Sequence, residues 1–414
     1  MTNSWKTASL IELADYMNGY AFKPEDHTEE GLPIIRIEQL KDDNAELDHY
    51  DKRVPEYNLI RNGDLIFSWS ASLFLRIWDR GDAILNQHLF KVTPQSNVDK
   101  QYLKYCIEYN LPKLSNSSHG STMKHITRKE LKRFQVSLPS EKAEQTKIAE
   151  VLSTIDRAIA QTEALIAKHQ RIKTGLMQDL LTRGIDEHGQ LRDPSTHRFK
   201  STPLGMIPGE WEVSHLGKIS HRVTSGSRWW ARYYSDTGAK FIRIGNLTRE
   251  HVNLRLQNIQ HVQPPDSSEA KRTVLETGDL LISVTADLGI IGIVPGDLGE
   301  AYINQHIALV KLDKKKVNPY FIGNLLSGFQ AQKYFSLLND SGAKAGLNLK
   351  TISAFPAIFP SDRNEQDRIA EIIQRTESII ETQKSERNKL LGMKTGLMQD
   401  LLSGRVSVTP LMEK

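Results

Sequence analysis

From residue 148 onward, Ile148, Leu152, Ile155, Ile159, Thr162, Ile166 and His169 recur at alternating spacings of four and three. That is the seam of a coiled coil and predicts a long helix. A second run, Ile369, Ile373, Thr376, Ile380, Leu390, Leu397 and Leu401, has polar Gln383 and Arg387 weakening its middle. Pro139-Ser140 and Pro360-Ser361 precede the two runs. Each serine suits the free amides of a helix start, and the following Glu141 or Asp362 suits the helix dipole. Roughly 40 residues at about 1.5 Å each give a rod of about 60 Å. Elsewhere the apolar runs are short: LPIIRI, DLIFSWSASLFLRIW, KFIRI and DLLISV, separated by Gly-Asp and Pro turns, read as strands. QYLKYCIEYN and NPYFIGNLLSGFQAQKYFSLL read as helices, and the Gly-, Pro- and charge-rich RGIDEHGQLRDPSTHRFKSTPLGMIPGEW as a linker.

These elements occur twice. KTGLMQDLL stands at Lys173–Leu181 and again, letter for letter, at Lys394–Leu402, and EQTKIAEVL at Glu144 answers EQDRIAEII at Glu365. Upstream the offset shortens in steps: Asn86-Gln87-His88 pairs with Asn304-Gln305-His306, Gly63-Asp64-Leu65 with Gly278-Asp279-Leu280, Ile35-Arg36-Ile37 with Ile242-Arg243-Ile244, and Trp5 with Trp211. The duplicated unit is therefore a head that tolerates loop insertions, followed by a helix of fixed length. The expected boundaries are head one at 1–139, helix one at 140–183, a linker at 184–204, head two at 205–360, helix two at 361–404 and a tail at 405–414. If the helices pack antiparallel, the heads are related by an approximate two-fold axis, the geometry with which dimeric DNA readers match two half-sites. Unlike heads would then read an asymmetric site.

Composition narrows the chemistry. A single cysteine, Cys106, in 414 residues excludes a disulfide framework, argues against a Cys-based metal site, and fits a reducing, cytoplasmic setting. The N-terminus lacks the basic start and apolar run of a signal peptide. The most apolar stretch, LLISVTADLGIIGIV, is broken by Asp287 and glycines, so no membrane span is expected. A formal charge of +4 permits a polyanionic partner. There is no GxxxxGK[ST] phosphate loop. Asn318-Pro319-Tyr320 lacks the second proline of an adenine methyltransferase motif, and the carboxylates of Asp266 and Glu269 are too close in sequence to flank a metal from separate strands. Catalysis by this chain is not expected.

The order head, helix, linker, head, helix, with EQ..IAE opening each helix, KTGLMQDLL closing it, and the NQH and RFK..PLGMIPGEW motifs in place, resembles the specificity subunit of type I restriction-modification systems. The resemblance covers nearly the whole chain. It implies an α+β fold, two similar target-recognition domains of mixed α/β structure joined by two long antiparallel helices forming a coiled coil with pseudo-two-fold symmetry. It also implies a non-catalytic reader of double-stranded DNA that docks two methyltransferase subunits and, through that complex, restriction subunits. No cofactor belongs to this chain on that reading; S-adenosylmethionine, ATP and Mg are expected in the partner subunits. The alternative is a coiled-coil scaffold joining two protein-binding heads, which would show no salt-dependent duplex binding. A fused nuclease or methyltransferase is a second rival, weakened by the missing motifs.

Two identical partners need two equivalent surfaces, so the identical helix ends are the expected docking sites: Lys173, Gly175, Gln178 and Asp179, with Lys394, Gly396, Gln399 and Asp400. Gly175 and Gly396 favour this, because glycine inside a helix costs roughly 1 kcal/mol relative to alanine and is easier to understand where another chain approaches. Residues identical between unlike readers belong to the framework, so buried hydrogen bonding is expected for the NQH motifs. Base and phosphate contacts should come from Arg, Lys, amide and aromatic residues on loops that differ. In head one these are Ser68, Trp69, Ser70, His119, Lys124, His125 and Arg128; in head two they are Arg228, Trp229, Trp230, Arg232, Tyr233 and Lys344.

Overall fold

A computed structural model of the chain describes residues 5–117, 126–226, 228–285, 287–340 and 347–412. The chain forms two compact units, Met1–Glu163 with Ser385–Lys414, and Ala164–Lys384. The two long helices span Lys142–Thr182 and Arg363–Leu402, each within two residues of its expected ends. Asp362, not Ser361, satisfies a free amide at the second helix start: its Oδ1 accepts from Asn364 N at 3.0 Å, while Ser361 Oγ donates to the Glu210 carbonyl.

The first unit contains a four-stranded antiparallel sheet in the order Ala14–Asn18, Leu89–Pro94, Leu65–Ser68, Phe74–Ile77. A second sheet runs Asp48–Tyr50, Leu32–Ile35, Ala83–Leu85, Leu59–Ile60, with Leu32–Ile35 and Ala83–Leu85 parallel. Strand Trp5–Ser9 pairs with Gln135–Pro139 just before the first long helix. The second unit repeats the antiparallel sheet, the strand pair before the long helix and the three-strand core of the mixed sheet, whose fourth strand lies on the opposite edge. Its antiparallel sheet is Ser220–Ser225, Ile307–Leu312, Leu280–Ser283, Ile291–Ile293, its mixed sheet is Tyr234–Ser235, Gln260–Val262, Ala239–Ile242, Ala301–Ile303, and Glu212–His215 pairs with Pro356–Phe359. The expected strands are therefore present, and the long helical stretch after Asn318 is two helices, Pro319–Ser327 and Phe329–Asp340, parted at Gly328.

The end of each long helix completes a core. Leu180 and Leu181 are buried in the second unit with Trp211, Phe321 and Ile369; Leu401, Leu402 and Val408 are buried in the first with Leu10, Tyr102 and Leu152. Within the second unit the helices run antiparallel: His169 meets Gln383, Lys173 meets Glu377, and Ile185 N donates to Glu365 further along. The segment after the first helix is tied down. Arg192 is buried, donates two hydrogen bonds to Glu365 at 2.6 and 2.9 Å, and reaches Glu210 through Nε at 2.6 Å. Cys106 is buried, which pushes its thiol up to about 12 and leaves it unreactive. Among the described residues no helix is long and apolar enough to cross a membrane.

Candidate nucleic-acid interface

In both units the NQH turn is framework built on a tight backbone contact. Asn86 Oδ1 accepts from His88 N, and Asn304 Oδ1 from His306 N, both at 3.2 Å. A glycine lies against each turn: Gly19 N donates to the Leu89 carbonyl and Gly226 N to the Ile307 carbonyl, both at 3.1 Å. A Cβ would lie 2.1 Å from the Leu85 oxygen at Gly19 and 2.0 Å from the Asn304 oxygen at Gly226, so no other residue fits. These glycines were legible only as a Gly at matching distance before each IRI strand. The histidines differ from expectation. His306 is half-buried and its Nδ1 meets Thr285 Oγ1, whereas His88 is exposed beside Trp69.

From each of these glycines a segment of equal length leads to a second glycine with φ of +115°, Gly31 or Gly238. The first copy, 20–30, carries Glu25, Asp26, Glu29 and Glu30, and turns Tyr20 and Phe22 onto Tyr50. The second copy, 227–237, carries Arg228, Trp229, Trp230, Arg232 and Tyr233. One frame thus holds an acidic segment in one head and a cationic, aromatic one in the other.

The structure separates the expected contacts within that second segment. Trp230 is buried, stacked on Phe241 at 5.7 Å and 12° and against Tyr302 at 5.1 Å, so its side chain is an anchor and not a surface for bases. Trp229 is 81% exposed. Arg228 and Arg232 are exposed, and Arg232 lies 4.8 Å over the half-buried Tyr233 ring. Among the described residues neither guanidinium has an ion-pair partner.

In the first head, Ser68 and Ser70 are buried, and Ser68 Oγ donates to the Ser72 carbonyl at 2.5 Å. They shape the turn and are not exposed for contact; Ser283 Oγ does the same with the Asp287 carbonyl. Trp69 is half-buried, stacked on Phe90 at 5.5 Å. Its carbonyl accepts from Ile126 N at 2.9 Å, and the Val284 carbonyl accepts from Leu347 N at 3.1 Å in the second head. His119, Lys124, His125 and Lys344 lie outside the described residues. Arg128 is exposed at the start of helix Arg128–Arg133 and donates to the Tyr16 carbonyl at 2.6 Å. Lys41, which is not among the expected contacts, donates its Nζ to Ser72 Oγ at 2.6 Å beside the Trp69 turn; nothing in its local pattern marks it.

The repeated helix ends divide by role. Lys173 pairs with buried Glu377 at 2.8 Å and donates to the Glu250 carbonyl, and Lys394 pairs with Asp156 at 2.7 Å, so both expected docking lysines are engaged inside the molecule. Asp179 reaches Arg183 at 3.6 Å and Asp400 is half-buried. Gly175, Gln178, Gly396 and Gln399 are exposed, and nothing lies within 4 Å of a Cβ built at either glycine. One trio of metal-ligand groups occurs among the described residues, Glu250, His251 and Glu381. The Lys384 ammonium, 2.8 Å from Glu250 and 2.9 Å from Glu381, already balances it.

Comparison with known proteins agrees with this architecture. The family described as type I restriction modification DNA specificity domain matches residues 2–169 and 208–391. The type I restriction enzyme EcoBI specificity subunit of Escherichia coli is 24% identical, covering 100% of this chain and 92% of its own. The MjaVIII specificity subunit of Methanocaldococcus jannaschii is 22% identical, covering 98% and 94%. The crystal structure of a type I restriction-modification S subunit from M. genitalium superposes with a TM-score of 0.63 at 17% identity, over 97% of this chain and 96% of that one.

Proposed function

This chain belongs to the type I restriction-modification DNA specificity family, whose role is recognition and not catalysis, and from that membership we propose that its two heads each read one half of an asymmetric, two-part DNA site. On this reading, the identical exposed parts of the helix ends dock two methyltransferase subunits, through which restriction subunits join. S-adenosylmethionine, ATP and Mg then belong to those partners.

The observation that carries the reading is the shared frame with opposite chemistry. Gly19 with Asn86 and Gly226 with Asn304 build one scaffold twice, while the segments mounted on it, 20–30 and 227–237, differ in charge and shape. Identical scaffolding with divergent loops is what two readers of different bases require.

The test is a head exchange. Replacing Met1–Leu138 with the head of another family member should change one half of the methylated sequence and leave the other intact, as read by mapping methylated adenines. A change in both halves together would overturn the separate-reader assignment.

A further inference from the structure

Of the six tryptophans, Trp78, Trp211 and Trp230 are buried and Trp5 and Trp69 are half-buried; Trp229 alone is exposed, at 81%. Its backbone is also left-handed, with φ of 63° and ψ of 13°. Among the described residues only Ala71 shares that conformation without being glycine, and it too lies in the loop of a head expected to face DNA. A left-handed aromatic residue is strained, and an indole in water forgoes burial. Among the described residues, nothing packs the indole away from water.

The neighbours hold this residue out. Trp230 behind it is locked between Phe241 and Tyr302. The Tyr233 carbonyl accepts from Gln263 N at 2.9 Å, and strand Tyr234–Ser235 pairs with Gln260–Val262. Trp229 is thus a projecting ring on a fixed base, flanked in sequence by Arg228 and Arg232, which have no ion-pair partner among the described residues. Exposed cations one residue before and three residues after an exposed aromatic ring suit the phosphates that adjoin a base step. The acidic counterpart in the first head, with Glu25 and Asp26, has no such fit.

We propose that Trp229 inserts its indole at a base step in the half-site read by the second head, with Arg228 and Arg232 on the adjoining phosphates. The inference rests on the DNA-reading function above. It predicts unequal handling of the two half-sites, with Trp229-dependent unstacking only in the second, separate from extrusion of the target adenines by the methyltransferase subunits.

The experiment uses the full chain assembled with its methyltransferase subunits and a 30-base-pair duplex bearing a site mapped from methylated adenines, with 2-aminopurine placed at single positions. Wild type should raise 2-aminopurine fluorescence at one position in the second half-site away from the methylated adenine. Trp229→Gly should abolish that rise and weaken binding roughly tenfold to a hundredfold. It should also unfold at the same temperature as wild type or higher, since glycine relieves the left-handed strain. Trp229→Phe should keep most of the signal, and Arg228→Ala should lower the salt slope by about one. Unchanged affinity and fluorescence in Trp229→Gly would overturn the insertion while leaving DNA reading intact, as would a loss of methyltransferase assembly in that variant with normal DNA contact. Failure of the wild type to bind the duplex would overturn both.

Discussion

Lys394 Nζ lies 2.7 Å from Asp156 Oδ1, and in the other unit Lys173 Nζ lies 2.8 Å from Glu377 Oε1. The duplication maps one pair onto the other, since both lysines and both acids stand at the same offset of 221 residues. Each lysine belongs to one copy of the repeat and its acid to the other, so the ion pair ties two helices together once in each unit.

The two pairs differ in burial, and their removal should differ accordingly. Glu377 is buried, so Lys173→Met leaves a carboxylate uncompensated and should cost about 3–5 kcal/mol. The Lys394 and Asp156 side chains are 26% and 30% exposed, and Lys394→Met should cost about 1 kcal/mol or less. Urea unfolding of both variants measures the difference. Equal losses would mean that burial does not set the strength of these pairs.

Gly175→Ala and Gly396→Ala should each stabilise the isolated protein by about 0.5–1 kcal/mol, because both sites are helical and meet open space. The same substitutions should weaken methyltransferase assembly, measured by size-exclusion chromatography of mixed subunits. Full assembly by the double variant would remove these glycines from the docking surface.

How much of this was legible in the sequence depends on distance along the chain. The helices, strands and repeat follow from local periodicity, which is why the long-helix ends fell within two residues. Gln145 and Gln366 were visible as identities in EQ..IAE, but their task was not: each accepts from a head amide, of Asp99 or Asn318, and donates to the proline carbonyl before its helix. The partner of Lys173 lies some two hundred residues away, and no local pattern names it. Trp229 and Trp230 are neighbours with identical side chains; only the αL backbone between strands decides that one faces the core and the other water.

Asn324 is fully buried in helix Pro319–Ser327, and neither its amide nitrogen nor its oxygen has a hydrogen-bond partner among the described residues. An unsatisfied buried amide costs about 1–3 kcal/mol. Asn324→Leu, which keeps the branching while removing the polar atoms, should therefore raise the unfolding midpoint in urea. A lower midpoint would show that the amide is satisfied in solution.

Acid should loosen the Glu250–Lys384 contact. The hydrogen bond from Lys384 holds the Glu250 carboxyl below the usual glutamate value, against a smaller opposing effect of burial. For Lys384, burial pulls the ammonium down, but hydrogen bonds to Glu250 and Glu381 outweigh it and raise the group overall. The lowered carboxyl contributes stability that is complete above the ordinary glutamate value and disappears as pH falls through its depressed one. The raised ammonium contributes stability present below the ordinary lysine value and lost as pH climbs through its elevated one. Glu250→Gln should flatten part of the acid limb of a stability-against-pH curve. An unaltered acid limb would place the titrating group elsewhere.

Because Leu401, Leu402 and Val408 belong to the core of the first unit, the N-terminal head cannot reach its finished state when its own codons have been read. At about 5–20 residues per second, the ribosome needs on the order of tens of seconds more to deliver those leucines. Through that interval the nascent head waits with an apolar seam uncovered, a window in which chaperones have something to hold.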